Sequence, residues 1–484
     1  MSFNTVLTLV MVAYFATVLF EGFLSYRKTH HHADYLVAGR KVGPWIVGAS
    51  LSATQMSAGT FVGTIAVHYL TGASFIWAWT GIWLAYVVNA LWIAPRLRRY
   101  SHEHGALTFP DFVADRFNSN LARGVAAVLT VIAYIVFMSA QYQAGGVILQ
   151  TLFGVPFLYG AVVLMAITGL YTTVGGMIAV MNTDFLQQMG MAIGVLVGLP
   201  LLVAYAGGLE NIGLVLREVT PRYLSWHFGL RDLLGFGLAF GLTFVAAPYV
   251  VTRFYAARDD RAVKQGVAVA LFFNVLIATC VAIIGMSMRV LYPQLAVADA
   301  ASTVFASQVL PPFVGALVLV AVLAAIMSTV DSVLLVTSSA VSHDIYYRMI
   351  NPNASEKARM RINHWATAVV GAIPILLTVR RLDIVQFVVV AYAALLASIV
   401  FIPVVMGLFW RRASSAGVIG SMIVGFGVCL LWYLLKQPFR LNPVIPGVIA
   451  GALAMYVISL ATSPVPEQNL RIFFPEAARA GGDD

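Results

Sequence analysis

An all-α integral membrane protein of about thirteen transmembrane helices is predicted by three features of this 484-residue sequence: its composition, the length of its apolar runs and the shortness of the intervals between them. Hydrophobic residues make up 60% of the chain and charged residues 10%, with a mean hydropathy of +0.87, whereas about a quarter of a soluble domain is charged. A bilayer core of roughly 30 Å takes about 20 apolar residues per helical crossing, and blocks of that length recur without a soluble-sized gap. The longest polar interval, around 343–363, is too short to be a domain. Backbone groups in lipid must be satisfied internally, which leaves helices or a closed barrel. Long continuous runs select helices.

In chain order the expected spans are about 3–26, 44–69, 72–94, 120–150, 157–178, 184–206, 231–251, 265–290, 313–340, 362–379, 384–409, 415–435 and 443–462. The first has no basic segment before it and no Ala-x-Ala site after it, so it is expected to remain as a helix rather than be cleaved as a signal peptide. An odd number of spans puts the termini on opposite sides. On this map 21 of the 29 Lys and Arg residues fall on one side, in the stretches PRLRRY, TRFYAARDDR, EKARMR and WRR among others. That side is therefore cytoplasmic, with the N-terminus outside and the C-terminus inside a cell inner (plasma) membrane. The pI of 9.5 then needs no nucleic-acid partner. Cys280 and Cys429 fall within spans and are expected as buried thiols, and His30, His31 and His32 are expected in a solvated loop rather than around a metal.

The second span, VGPWIVGASLSATQMSAGTFVGTIAVHYL, concentrates Ser50, Ser52, Thr54, Gln55, Ser57, Gly59 and Thr60 in its middle. Small and hydroxyl residues permit close helix packing; at this density they also suit a helix that unwinds mid-membrane and exposes its carbonyls. The ninth span carries IMSTVDSVLLVTSS, residues 326–339. There Ala325, Ser328, Thr329 and Ser332 share one helical face about 100° wide. Hard cations take oxygen ligands, and extending that rule to sodium, a midplane site could combine the Ser328 and Thr329 hydroxyls with carbonyls of an unwound neighbour. Back-bonding to the i−4 carbonyl is the alternative for such hydroxyls.

Ionisable residues inside spans are functional candidates because burying them in hydrocarbon is costly. Asp331 lies about 60 to 100° off the hydroxyl stripe, which suits a supporting hydrogen bond as well as ligation. Asp184 is expected at the start of the sixth span, as a helix N-terminal cap or on an ion exit path. Glu21 is expected near the end of the first helix, at the interface. The seventh span is rich in glycine and aromatics, with Phe236, Phe240 and Phe244 on one face and Pro248 breaking its hydrogen-bond ladder. Two interrupted helices opening successive groups of five spans point to a transporter site.

With these residues the sequence resembles the sodium/solute symporter family over nearly its full length, and is similar to the bacterial sodium/pantothenate and sodium/proline permeases. The resemblance is carried by YLVAGRKVGPW with SATQMSAGTFVG, by LYTTVGGMIAVMNTDFLQ, by PPFVGALVLVAVLAAIMSTVDSVLLVTSSAVSHDIY, and by WRRASSAGVIGSMIVG with NPVIPGVIAGALA. It implies a five-plus-five inverted-repeat core, with residues 44–206 and 207–412 as the repeats, 1–43 before them and two helices and a tail over 413–484. It implies sodium ligands at the carbonyls of Ala53, Met56 and Ala325 and the hydroxyls of Ser328 and Thr329, cation movement past Asp184, and a solute cavity at Phe137, Phe240 and Phe244 with Ser57 and Thr60. Gln55 stands where sodium/proline carriers have aspartate, and phenylalanines replace their polar aromatics. Both departures favour pantothenate or a small monocarboxylate over proline. The carboxylate is expected on backbone N–H groups at a half-helix N-terminus, since no Lys or Arg lies mid-span on this map.

The expected activity is sodium-coupled import of a small organic solute, with sodium as coupling ion, no cofactor and the lipid bilayer as surroundings; proton coupling or proline transport is the alternative. A membrane enzyme would need paired carboxylates, a histidine cluster or an activated nucleophile within the spans, and a channel would need repeated pore loops. The sequence carries neither pattern.

Overall fold

Eleven helical runs among the described residues are long and apolar enough to cross a bilayer. A computed structural model describes residues 2–29, 31–219, 221–225, 229–379 and 385–474. His30, the start of the eleventh expected span at 384 and the tail beyond 474 lie outside them. The crossings run through α1 (Phe3–Tyr26), α2 (Pro44–Gln55), α3 (Ile65–Thr71), α4 (Thr80–Val88) and α5 (Ala94–His104). After the short α6 (Phe109–Phe117) come α7 (Asn120–Phe153), α8 (Phe157–Tyr205), α9 (Leu230–Ala246), α10 (Pro248–Ala256) and α11 (Asp260–Leu291). Then follow α12 (Pro312–Ser339), α13 (Glu356–Thr378), α14 (Val385–Phe409), α15 (Ser415–Leu434), α16 (Val444–Ala461) and the short α17 (Glu467–Phe473).

Two of the eleven runs are too long for one crossing. The 49 residues of α8 would rise about 74 Å as a straight helix, more than twice a bilayer core. The helix is broken at Gly176, with φ 59° and ψ −152°. Only glycine takes that conformation readily, and a Cβ there would lie 2.7 Å from the Tyr35 carbonyl. The loop expected over 179–183 is instead helical, because the Gly175–Gly176 pair makes the turn earlier. Likewise the 46-residue run Gly59–His104 turns at Gly72, with φ 75° and ψ −147°. Dividing both runs, with α2 joined to the first part of the second, gives about thirteen crossings.

Burial separates the centre of the bundle from its wall. The most apolar stretches of α12 and α14 are 78% and 83% buried, against 22% for α1 and 28% for α16. Around that centre α12 lies along α8, α2 along α11, and α9 between α4 and α14. Cys280 and Cys429 are buried free thiols.

Candidate functional site

The second crossing is discontinuous. Its first half, α2, stops at Gln55, and Met56 has non-helical φ −75° and ψ 81°. A wide π-helical turn over Gly59–Thr64 then restarts the helix. The N–H groups that a restarting helix leaves open are met locally. Ser57 Oγ accepts from the Gly59 amide (3.0 Å), and the Ser57 carbonyl accepts from Thr60 (2.9 Å) and Phe61 (3.2 Å). Gln141 Oε1 accepts from the Ala58 amide at 2.9 Å. Ser57 thus acts as the cap of the second half-helix.

Against this break lies the hydroxyl stripe of α12. Ser328 Oγ donates to the carbonyls of Ala53 (2.9 Å) and Ala325 (3.1 Å). Thr329 Oγ1 donates to those of Thr54 (2.9 Å) and Ala325 (3.1 Å). Five oxygens from two helices therefore converge in a site closed to solvent, and each hydroxyl oxygen keeps lone pairs that rotation of its proton can turn toward a cation. Of the expected ligand residues Ala53, Ala325, Ser328 and Thr329 are brought together. Met56 is buried at the break itself, and Thr54, whose carbonyl joins the group, was missed by sequence reasoning. Further along the stretch, Thr337, Ser338 and Ser339 bond back to carbonyls of their own helix.

Asp184 is not a helix N-terminal cap. It lies eight residues beyond the break at Gly176, inside α8 and fully buried. Its Oδ2 accepts from Ser50 Oγ (2.5 Å), Arg253 Nη2 (3.0 Å) and Thr54 Oγ1 (3.4 Å). No basic residue is expected mid-span, and Arg253 stands just past the expected seventh span, but it belongs to the helical run Leu230–Ala256 and its side chain reaches the buried centre. It sits on α10, directly after the Pro248 break, and is also fully buried. Its guanidinium donates to Ser50 Oγ (3.0 Å), to Thr54 Oγ1 (2.8 Å), to the Tyr249 carbonyl (2.9 Å) and to Ser332 Oγ. Asp331 accepts from Tyr171 Oη at 2.7 Å and from Ser332 Oγ at 3.1 Å. Thr54 joins the two arrangements: its carbonyl faces Thr329 and its hydroxyl belongs to the ion-pair network.

Gln55, Ser57, Thr60, Phe137, Phe240 and Phe244 all line one enclosed cavity beside the break, together with Tyr249, Gln386 and Tyr392. Its volume is about 30 Å³, room for roughly one water. Phe137 stacks on Tyr392 with centroids 3.9 Å apart and an interplanar angle of 5°. Gln55 Oε1 accepts from Asn274 Nδ2. Gln386 Oε1 and Thr64 Oγ1 are buried without a hydrogen-bond partner among the described residues. The half-helix amides expected to hold a carboxylate are engaged: besides those at Ala58 to Phe61, the Tyr249 amide donates to Tyr134 Oη at 3.3 Å, and Val250 and Val251 bond to the Ala247 carbonyl. Phe236 packs on Phe75 instead of facing the cavity. Glu21 is more than interfacial, since its carboxylate accepts from Asn182 Nδ2 of α8 at 2.9 Å.

A second polar cluster lies outside the spans' centre. Asp111, His343 and Asp344 bring potential metal ligand atoms within 4.8 Å of one another, but Arg123 already pairs with both carboxylates. Burial alone would push the Asp111 carboxyl up; His343, Arg123 and Arg348 outweigh it and hold the group well below the usual carboxylate range. His32, expected in a solvated loop, packs its ring 5.3 Å from that of His343. Burial, aided by His343 and Arg359, pushes its imidazole down to about 4.

Two broken helices flanking a closed cavity, with a facing stripe of hydroxyls, define a secondary transporter built on a five-plus-five helical core. The chain belongs to the sodium:solute symporter family, whose profile matches residues 35–425. It is 29% identical over 477 residues to the osmoregulated proline transporter OpuE of Bacillus subtilis, covering 95% of this chain and 96% of that one. It is 29% identical over 457 residues to the high-affinity proline transporter PutP of the same organism, with 92% and 96% covered. The sodium/proline symporter of Staphylococcus aureus is 29% identical over 480 residues, with 94% and 93% covered. A substrate-bound, outward-open Na+-coupled sialic acid symporter shares the fold with TM-score 0.82 at 19% identity, over 95% of this chain and 99% of that one.

Proposed function

We propose that this protein imports a small organic solute by sodium-coupled symport, with alternating access at the cavity beside the broken helix. The observation that carries the reading is the convergence of the Ser328 and Thr329 hydroxyls on the Ala53 and Thr54 carbonyls at the break. Sodium entering from outside replaces the hydroxyl protons as the partner of those carbonyls, with Ala325 and Met56 completing the ligand set. It ties α12 to α2 and so favours the state that binds solute. Coupling is reciprocal, so each ligand raises the other's affinity. The membrane potential adds about 2.3 kcal/mol per 100 mV to each sodium entering a negative cell. Residues 44–206 and 207–412 act as the two repeats that move around the site, and Asp184 receives the ion on its way inward. The charge distribution supports an external N-terminus and a cytoplasmic C-terminus in the cell membrane.

The solute is a compact carboxylate bearing a hydroxyl or an amine. With the half-helix amides engaged, the open polar groups among the described residues are Gln386 Oε1 and Thr64 Oγ1, and a buried acceptor is costly until it meets a donor. Pantothenate and small hydroxy-monocarboxylates meet that need. Proline does too, and three proline-transporting relatives favour it as the second reading. Uptake into vesicles, with sodium, potassium and proton gradients imposed one at a time and these solutes competing, tests both statements. Sodium alone should drive accumulation; accumulation under a proton gradient without sodium would overturn the coupling ion.

Gln55 supplies a further test. A carboxylate at this position would lie two residues from the Ala53 carbonyl, with the Asn274 amide still available as its donor. Gln55→Asp is expected to lower the sodium concentration for half-maximal uptake by about threefold to tenfold, as one added charge near the cation predicts in a partly screened interior. An unchanged sodium dependence would show that position 55 does not act on the ion.

A further inference from the structure

Away from the transport path, α4 and α9 leave a long groove on the lipid-facing side of the bundle, closed on its third side by α14. It encloses about 730 Å³ and is walled by Leu84, Val88, Leu238, Val245, Phe401 and Val405 among others. The two helices touch at its floor because Gly81 faces Gly237 across a gap with no room for a Cβ. Thr80 alone among the lining residues carries a polar side-chain atom apart from the Trp92 indole.

At one end the groove runs into a second cavity of about 810 Å³, and the two share Trp92 and Phe409. The second cavity is lined by Arg96, Arg99, Lys264 and Arg411, with Glu103 as its one acidic side chain. Arg99 pairs with Asp260 at 2.6 Å, and Arg411 with Glu467. Arg96 has no carboxylate partner among the described residues: it lies 4.7 Å over the Phe409 ring and donates to the Trp92 carbonyl at 3.0 Å. Lys264 is exposed and likewise shows no ion pair among the described residues. Along this one helical run the face changes from apolar to cationic within a turn, through Leu84, Val88, Trp92, Arg96 and Arg99. From Thr80 to Trp92 the helix rises about 18 Å, close to the roughly 15 Å of one leaflet's hydrocarbon. The change therefore falls where acyl chains meet headgroups.

We infer that the groove and the basic cavity together form a binding site for one anionic phospholipid, with its acyl chains along Leu84, Val88 and Leu238 and its phosphate between Arg96 and Lys264. An uncharged apolar wall would accept any lipid tail. Two unpaired cations at headgroup depth select for negative charge, and the neighbouring ion pairs keep Arg99 and Arg411 pointed at the same cavity. The site does not depend on which solute the protein carries.

The test is retention of lipid by the purified full-length protein, using phosphatidylglycerol and phosphatidylcholine with identical acyl chains. Phosphatidylglycerol should be retained in preference, and each cation removed, in Arg96→Gln and Lys264→Gln, should cost about fivefold, the equivalent of ~1 kcal/mol per basic residue near an anionic surface. Leu84→Trp, which fills the groove and leaves the cations in place, should reduce retention of both lipids. Arg361→Gln, on α13 away from the groove, should change nothing. Raising salt from about 0.1 to about 1 M should erase the preference in the unaltered protein, since the screening length falls from roughly 10 to 3 Å. Equal retention of the two lipids by the unaltered protein would overturn the site, whatever the variants do. So would full phosphatidylglycerol retention by the double variant.

Discussion

Replacing Arg253 with methionine is expected to destabilise the protein by about 3–5 kcal/mol, the cost of leaving a buried charge without its partner, and to abolish sodium-driven uptake. Both members of the pair are fully buried, and Asp184 would keep only the Ser50 and Thr54 hydroxyls as donors. Asp184→Asn should be damaging for the converse reason, because the guanidinium would lose the carboxylate it pairs with. The double variant, Asp184→Asn with Arg253→Met, removes both charges together. It should recover most of the lost thermal stability, so the interaction energy in the double-mutant cycle should be at least as large as the loss in Arg253→Met alone, about 3–5 kcal/mol. Uptake separates structure from mechanism. If Asp184 hands the cation inward, the double variant regains its melting temperature but not transport; regaining both would reduce the pair to a structural strut and remove Asp184 from the ion path.

The pair also marks the limit of what the sequence discloses. The break at Gln55, the stripe on α12 and the break at Pro248 are local: hydroxyl density, three- and four-residue spacing and one proline are visible in a window of a few turns. Asp184 was visible as an acid inside a span, but its partner was not. Arg253 stands in TRFYAARDDR, where Arg258 and Arg261 are exposed, and counting charges by segment assigned all of them to the cytoplasm. The missed signal was positional. Pro248 restarts a helix, so a residue five places later still lies within its first two turns, and Arg253 is four residues from Tyr249, whose carbonyl it binds. A buried acid demands a partner, and the basic residues able to reach one stand at the ends of the spans.

Gln386 escaped notice for a different reason. One amide at the start of the apolar run QFVVVAY reads as the edge of a span, and only the packing of α14 against the Gly59–Thr64 turn turns it into the cavity. The Gly176 break was legible in principle, since VGGM places an adjacent glycine pair near the end of the fifth expected span. The length of the apolar block on either side drew the boundary too late. Spacing within one helix was readable throughout; which distant helix it faces was not.

Ser328→Ala combined with Thr329→Ala is expected to raise the sodium concentration for half-maximal uptake by at least about tenfold, equivalent to ~1.4 kcal/mol of lost binding, while protein abundance changes little. The two effects separate because they rest on different partners. In the absence of ion each hydroxyl contributes one neutral bond between α12 and α2, worth about 1 kcal/mol net in a bundle whose packing is otherwise intact. A bound cation loses two of its oxygen ligands, and the apolar methyls left behind cannot be rehydrated in a closed site. The rest of the stretch supplies the control. Ser338 and Ser339 hold carbonyls of their own helix, so Ser338→Ala with Ser339→Ala removes the same chemistry nearly three turns away and should leave sodium dependence as it was. Equal effects from the two pairs would mean that hydroxyl content, and not the contact with the broken helix, sets the sodium requirement. An effect confined to the first pair ties the ion to the carbonyls of Ala53 and Thr54. Thr54 would then connect ion binding to the Arg253–Asp184 pair through a single residue, its carbonyl on one side and its hydroxyl on the other.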